Sequence, residues 1–313
     1  MAPRVETVET LDSQVPPWER AGGVVKHIGL AKLPLCHLMT ASAFTAYVVR
    51  RPALELAALE AVFCLFLLCL GAATLNNYQD RDIDKRLRRT RRRALPLGEV
   101  STQAALVQAA LLIFSGTLGL FFVGESLALP LTGLIAVFFY NAVYTPLKRR
   151  TVLAIIPGAV CGSLPVLVGW MAAGGGLESP KLWILMGVFG VWQLPHFWLV
   201  VLANQEDYRS SGIPNMLRIL SPAQLRQLIF VWVTAFVVLT LCLPLYQVTL
   251  SETAAWALFA NALILASLFA LFLRLRADAR RYSRFFRCLN LSLGVVMSVI
   301  LVDGILLSYL RQV

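Results

Sequence analysis

Residues 61–93 read "AVFCLFLLCLGAATLNNYQDRDIDKRLRRTRRR". The first 15 carry no charge; the next 18 hold three aspartates and eight bases. The first half suits the interior of a lipid bilayer, and the second marks where the chain leaves it. The same alternation of long apolar runs and short charged loops extends through the sequence. Of its 313 residues, 58% are hydrophobic and 14% charged, with a mean hydropathy of +0.72. Soluble domains carry about 25% charged residues, so a soluble fold is excluded.

A helix needs about 20 apolar residues to cross a hydrocarbon core of about 30 Å. Runs near that length fall at 30–49, 53–75, 102–123, 127–145, 152–173, 181–203, 224–246, 253–273 and 290–310. They are continuous rather than alternating, which argues against barrel strands, and backbone groups in lipid must pair within their own segment. The expectation is an all-α polytopic membrane protein with about nine transmembrane helices.

The net charge of +11 does not call for a nucleic acid partner. Most bases sit in alternate loops: Lys85 to Arg93, Lys148 to Arg150, Arg209 with Arg218, and Arg274 to Arg287. By the positive-inside rule those loops and the N-terminus are cytoplasmic and the C-terminus lies outside; Arg50 and Arg51 are the exception. Residues 1–25, with Pro16-Pro17 and four acids, read as a polar cytoplasmic tail that resembles neither a secretory signal nor a transit peptide. Residues 26–313 read as one transmembrane domain, in a bacterial cytoplasmic membrane. The six cysteines lack metal-like spacing and read as packing residues.

Asn76, Asp80 and Asp84 are each four positions apart. At about 100° per residue they share one helical stripe, with about 6 Å of rise between neighbours. Like charges at this spacing repel unless a cation lies between them. Two carboxylates and an amide oxygen are hard ligands suited to Mg²⁺, which typically binds one or two carboxylates and completes its shell with substrate phosphates. A second polar cluster follows the sixth run: Asn204, Asp207 and Tyr208 are expected on one helical face, with His196 about two turns deeper beside Pro195. Between the clusters, Tyr144 ends the fourth run. Lys148 follows it, placed to reach a diphosphate as a point charge.

"NNYQDRDID" has the N-x-x-x-D-x-x-x-D pattern of the UbiA superfamily of intramembrane prenyltransferases. Further stretches resemble its protoheme IX farnesyltransferase branch: "RTRRRALPLG", "YTPLKRRT", "GSLPVLVGW", and "WQLPHFW" followed by "EDYRSSGIP". The pattern departs from that branch at Ala94, Ala154, Leu164-Pro165 and "AKLP" at 31–34. The resemblance implies helices around a central cavity, a Mg²⁺ cofactor, and farnesyl diphosphate and heme B as substrates. It implies metal binding by Asn76, Asp80, Asp84 and Asp207, and catalytic roles for Asp80, Asp84, Asp207 and Lys148. It further implies substrate contacts from Arg81, Arg89, Arg93, Tyr144, His196 and Tyr208, and a downstream heme A synthase or terminal oxidase assembly to receive the product. His196 would contact heme as an axial ligand or through a propionate. An enzyme acting on a quinone-precursor ring is the nearest alternative, and a transporter or channel a distant one. Asp303, inside the last run, has no role in this reading.

Overall fold

The computed structural model describes residues 23–124, 126–274 and 278–310, all helix and turn. The expected N-terminal tail lies outside the described residues through position 22; Gly23–Leu30 forms a short helix, α1. Then come α2 (Leu33–Arg50), α3 (Leu56–Asp84), α4 (Thr102–Gly124), α5 (Ala128–Phe138), α6 (Ile155–Ala172) and α7 (Pro180–Ala203). The short α8 (Gln205–Ser210), α9 (Pro222–Leu245), α10 (Glu252–Arg274) and α11 (Ala279–Leu310) follow.

Eight segments among the described residues are long and apolar enough to cross a membrane. These match the last eight of the nine expected runs. The first run is the 18-residue α2, which is less apolar because of its hydroxyls. Thr40, Ser42 and Thr45 are buried and donate to Cys36 O (2.9 Å), Met39 O (2.6 Å) and Ala41 O (2.9 Å) within the helix. Packed against α3, α6 and α11, α2 is an inner helix with less need of a lipid-compatible surface.

Contacts between distant segments fix the alternation of the helices. Lys32, just before α2, meets Asn76 near the end of α3. At the other end of α2, Arg50 donates to Gly174 O in the loop between α6 and α7 (3.3 Å). The acidic stripe and the basic loops therefore share one side of the bundle, the mouth. Apolar lipid tails offer little drive for helix association, so close packing carries it. A Cβ on Gly116 of α4 would stand 2.7 Å from Cys64 O of α3, and one on Gly169 of α6 only 1.9 Å from Ala43 O of α2.

The fourth run departs from a plain helix. After α5 the chain widens into a π-helical turn, Phe139–Tyr144, before one α-helical turn at Thr145–Leu147. Such widenings concentrate at functional sites. Here α3 holds it open: Asn141 Nδ2 donates to Ala72 O (3.0 Å), and Gln79 Nε2 to Asn141 O (2.9 Å). The last helix begins at Ala279, well before the expected 290, because Tyr282, Phe285 and Leu289 bury one face of its basic first turns. Asp303 is accounted for on the far side. Its carboxylate accepts from Leu250 N (2.6 Å), Ser251 N (3.1 Å) and the Ser251 hydroxyl, clasping the loop between α9 and α10 to α11.

Candidate active site

The stripe on α3 is buried although it is polar: Asn76, Asp80 and Asp84 are 1%, 5% and 4% exposed. Buried charges require partners, and these come from distant segments. Lys148 donates to Asp80 Oδ2, while Arg149 Nη2 lies 3.7 Å from Oδ1. Arg93 Nη1 meets Asp84 Oδ2 at 2.8 Å and Asn77 Oδ1 at 3.1 Å. Lys32 donates to Asn76 Oδ1, and Asn76 Nδ2 donates to Thr145 Oγ1 (2.7 Å). Lys32 itself sits in the left-handed region at φ 49°, a conformation disfavoured for a side chain with a Cβ.

Lys32, Asn76, Asp80, Asp84, Arg93 and Lys148 line a cavity of about 420 Å³ whose wall extends to His196 and Phe286, within the range typical of small-molecule sites. Its wall includes Lys32, Arg89, Arg93 and Lys148 against two carboxylates, Asp80 and Asp84. Cations therefore outnumber acids. The crowding affects Lys32, whose ammonium is pushed down to about 7 by burial and then by Arg93 and Lys148, against Asp80 and Asp84. Burial also lowers Lys148, with Asp80 opposing. An anionic ligand would relieve both.

Behind the polar cavity lies an apolar one of about 150 Å³, walled by residues such as Leu65, Leu68, Ala72 and Val137. Tyr140, Tyr144, Phe197 and Leu35 line both, so aromatic faces form the passage between them. Tyr144 stacks on Tyr140 (centroids 5.8 Å apart, planes at 11°) and on Phe197 (6.2 Å, 28°). Lys148 lies over the Tyr144 ring at 5.3 Å.

Of the residues singled out in the sequence, Asn76, Asp80, Asp84, Arg89, Arg93, Tyr144, Lys148, His196 and Tyr208 line the polar cavity. Arg81 and Asp207 are not among its lining residues. Arg81 turns back over the Tyr78 ring at 4.4 Å and donates to Tyr78 O (2.8 Å). The second cluster, expected on one helical face, is instead divided by a helix break. α7 stops at Ala203, and Asn204, with φ −121°, donates its amide to Val200 O (2.9 Å) as the chain turns into α8. Asp207 instead pairs with Arg88 at 3.5 Å, linking the two motifs at the rim. Sequence reasoning gave no roles to Lys32, Arg149, Asn77 or Thr145. Only Lys32 had a visible signal, a lone base opening an apolar run.

The residues present suit a divalent cation. Asp80 Oδ1 is buried with no hydrogen bond, and it shares its stripe with a second carboxylate and an amide oxygen. Among the described residues no three His, Cys, Asp or Glu side chains converge. Two carboxylates and an amide oxygen are hard donors of the kind that suits Mg²⁺, which fills the rest of its shell with water or phosphate oxygens.

Comparisons with known proteins bear on the family and the fold. The profile of the UbiA prenyltransferase family matches residues 37–293. The chain is 36% identical over 228 residues to protoheme IX farnesyltransferase of Geobacter sulfurreducens, covering 72% of this chain and 79% of that protein. It is 33% identical over 267 residues to the protein of that name from Nitratidesulfovibrio vulgaris, covering 85% and 91%. Among solved structures, the fold resembles digeranylgeranylglyceryl phosphate synthase (TM-score 0.72, 15% identity, 90% of this chain and 98% of that one). It also resembles a UbiA homolog from Archaeoglobus fulgidus bound to GPP and Mg²⁺ (TM-score 0.65, 16% identity, 88% and 99%).

Proposed function

The chain belongs to the UbiA prenyltransferase family, and from that premise we propose that it farnesylates heme B. A farnesyl group passes from farnesyl diphosphate to a vinyl group of protoheme IX with addition of water, giving heme O and diphosphate. The observation that carries this reading is the continuous cavity with a cationic mouth at one end and His196, framed by aromatic rings, at the other. The relatives of that name support the choice of acceptor.

Lys32, Arg89, Arg93 and Lys148 bind the diphosphate and hold its leaving oxygen as negative charge develops, a preorganised electrostatic contribution. Asn76, Asp80 and Asp84 would hold Mg²⁺, with Asp207 at the rim on the same side. When bound, the ion neutralises charge on the departing diphosphate as a Lewis acid. The apolar cavity takes the farnesyl chain and excludes water from the allylic cation left when the C–O bond breaks. Tyr140, Tyr144 and Phe197 present π faces along the path of that cation. The terminal vinyl carbon forms the new C–C bond, the porphyrin-stabilised cation moves to the adjacent carbon, and water adds there with loss of a proton. In this reading residues 26–313 form one domain in a bacterial cytoplasmic membrane, with the mouth and N-terminus facing the cytoplasm.

The test offers purified protein, farnesyl diphosphate and Mg²⁺ with either heme B or a quinone-precursor aromatic acid. Prenylation of heme B is expected. Prenylation of the aromatic acid alone would retain the mouth chemistry and discard the heme assignment.

A further inference from the structure

His196 lies on α7, and its ring is constrained on three sides. Nδ1 is 2.9 Å from Asn290 Oδ1 on α11. Trp192, one turn earlier on α7, covers one flank (centroids 4.5 Å apart, planes at 44°), and Phe286 of α11 covers another (4.7 Å, 46°). Trp192 is itself tied down, donating Nε1–H to Leu289 O at 3.2 Å. The i, i+4 pair Trp192 and His196 thus docks on the consecutive positions Leu289 and Asn290. His196 and Phe286 line the polar cavity, while Trp192 and Asn290 stand behind it.

This arrangement selects a tautomer. A carboxamide oxygen only accepts, so the hydrogen bond to Asn290 places the proton on Nδ1. Nε2 is left with a lone pair, and among the described residues no hydrogen bond engages it. His196 lines the polar cavity, and with Nδ1 held by Asn290 its free acceptor there is Nε2. A neutral imidazole in this state accepts at Nε2 but has no proton there to give a propionate. Metal-ligating histidines have this form: the ring N–H opposite the metal donates to a fixed oxygen, which sets orientation and raises basicity.

We propose that Asn290 is a positioning residue that holds His196 in the Nδ1–H tautomer, so that Nε2 is the axial ligand to the iron of the porphyrin acceptor. This rests on heme B being that acceptor. Ligation would fix the macrocycle against the α7–α11 wall while its vinyl edge is free to meet the farnesyl chain.

The test titrates heme B into the full-length protein in detergent micelles. It follows the absorption spectrum and, after reduction, the iron–histidine stretch by resonance Raman. One heme per chain with an iron–histidine band is expected. His196→Gly should lose that band and regain it on addition of imidazole. Asn290→Leu should weaken heme binding about tenfold and shift the band. Asn290→Asp should restore affinity and raise the stretching frequency, because a carboxylate makes the imidazole more basic. One heme per chain with an unchanged band in His196→Gly, or unchanged affinity and band in Asn290→Leu, would overturn the proposal while leaving heme as the acceptor. No saturable heme binding to wild-type protein that still prenylates another acceptor would overturn both.

Discussion

The ammonium of Lys32, on a left-handed residue ahead of α2, donates to Oδ1 of Asn76, the first member of the acidic stripe on α3. The contact closes the inner wall of the mouth and places a fourth cation beside Arg89, Arg93 and Lys148. Lys32→Met should therefore raise KM for farnesyl diphosphate about tenfold or more, the scale of one charge-assisted hydrogen bond. Steady-state kinetics at saturating heme B would check this, and an unchanged KM would remove Lys32 from the diphosphate site.

The same residue sets a pH dependence. Its ammonium titrates at about 7 in the folded protein, against about 10.4 for an ordinary lysine. Between those values the unfolded chain holds a proton that the folded chain has lost, so the ligand-free protein gains stability as pH rises across the window. Diphosphate acts in the opposite sense because it favours the ammonium. Its binding at pH 8 should take up a proton, and affinity should fall from pH 7 to 9. Lys32→Arg should flatten that slope. Calorimetry in buffers of different ionisation enthalpy reads the uptake directly.

Asp80 and Asp84 are the residues most exposed to loss of function. Asp80→Ala and Asp84→Ala should each reduce turnover at least about 100-fold, the scale for removing one electrostatic stabiliser of a transition state. Asp207→Ala should fall less, since Asp207 stands at the rim with Arg88. Single-turnover rates at saturating Mg²⁺ distinguish the three. Equal losses would place Asp207 in the mouth itself.

Asp303 should matter for stability and not for chemistry. Asp303→Ala removes three hydrogen bonds to Leu250 and Ser251, which should cost about 3 kcal/mol. Activity per folded molecule should stay at the wild-type level. Thermal unfolding in detergent, paired with activity normalised to folded protein, is the check.

Close helix packing gives a further contrast. Gly169→Ala would drive a Cβ to 1.9 Å from Ala43 O and should destabilise by about 1–3 kcal/mol through overpacking. Gly190→Ala, with its nearest neighbour at 3.7 Å, should be neutral or stabilising because alanine favours a helix. Melting temperatures of the two variants test the α2–α6 contact.

The acidic stripe was legible in the sequence because one helix supplies all of it, and helical periodicity reports what shares a face. The long apolar runs were legible for the same local reason. What closes the site comes from elsewhere in the chain: Lys32 lies 44 positions from Asn76, and Asn290 lies 94 from His196. No periodicity reports such pairings. The turn of Arg81 onto Tyr78 and the helix break at Asn204 were missed because a strict 100° projection assumes that a helix continues and its side chains extend radially. The early start of α11 was hidden by Arg280, Arg281, Arg284 and Arg287, whose charge masks the apolar face formed by Tyr282, Phe285 and Leu289.

The most direct measurement is turnover of heme B with farnesyl diphosphate and Mg²⁺ by the purified protein in ¹⁸O-labelled water, read by mass spectrometry of the porphyrin. The expected product is heme B plus farnesyl plus one labelled hydroxyl, formed only with Mg²⁺ and lost in Asp80→Ala. A porphyrin unchanged in mass while farnesyl diphosphate is consumed, or a farnesylated porphyrin without the label, would contradict transfer to a vinyl group with quenching by water.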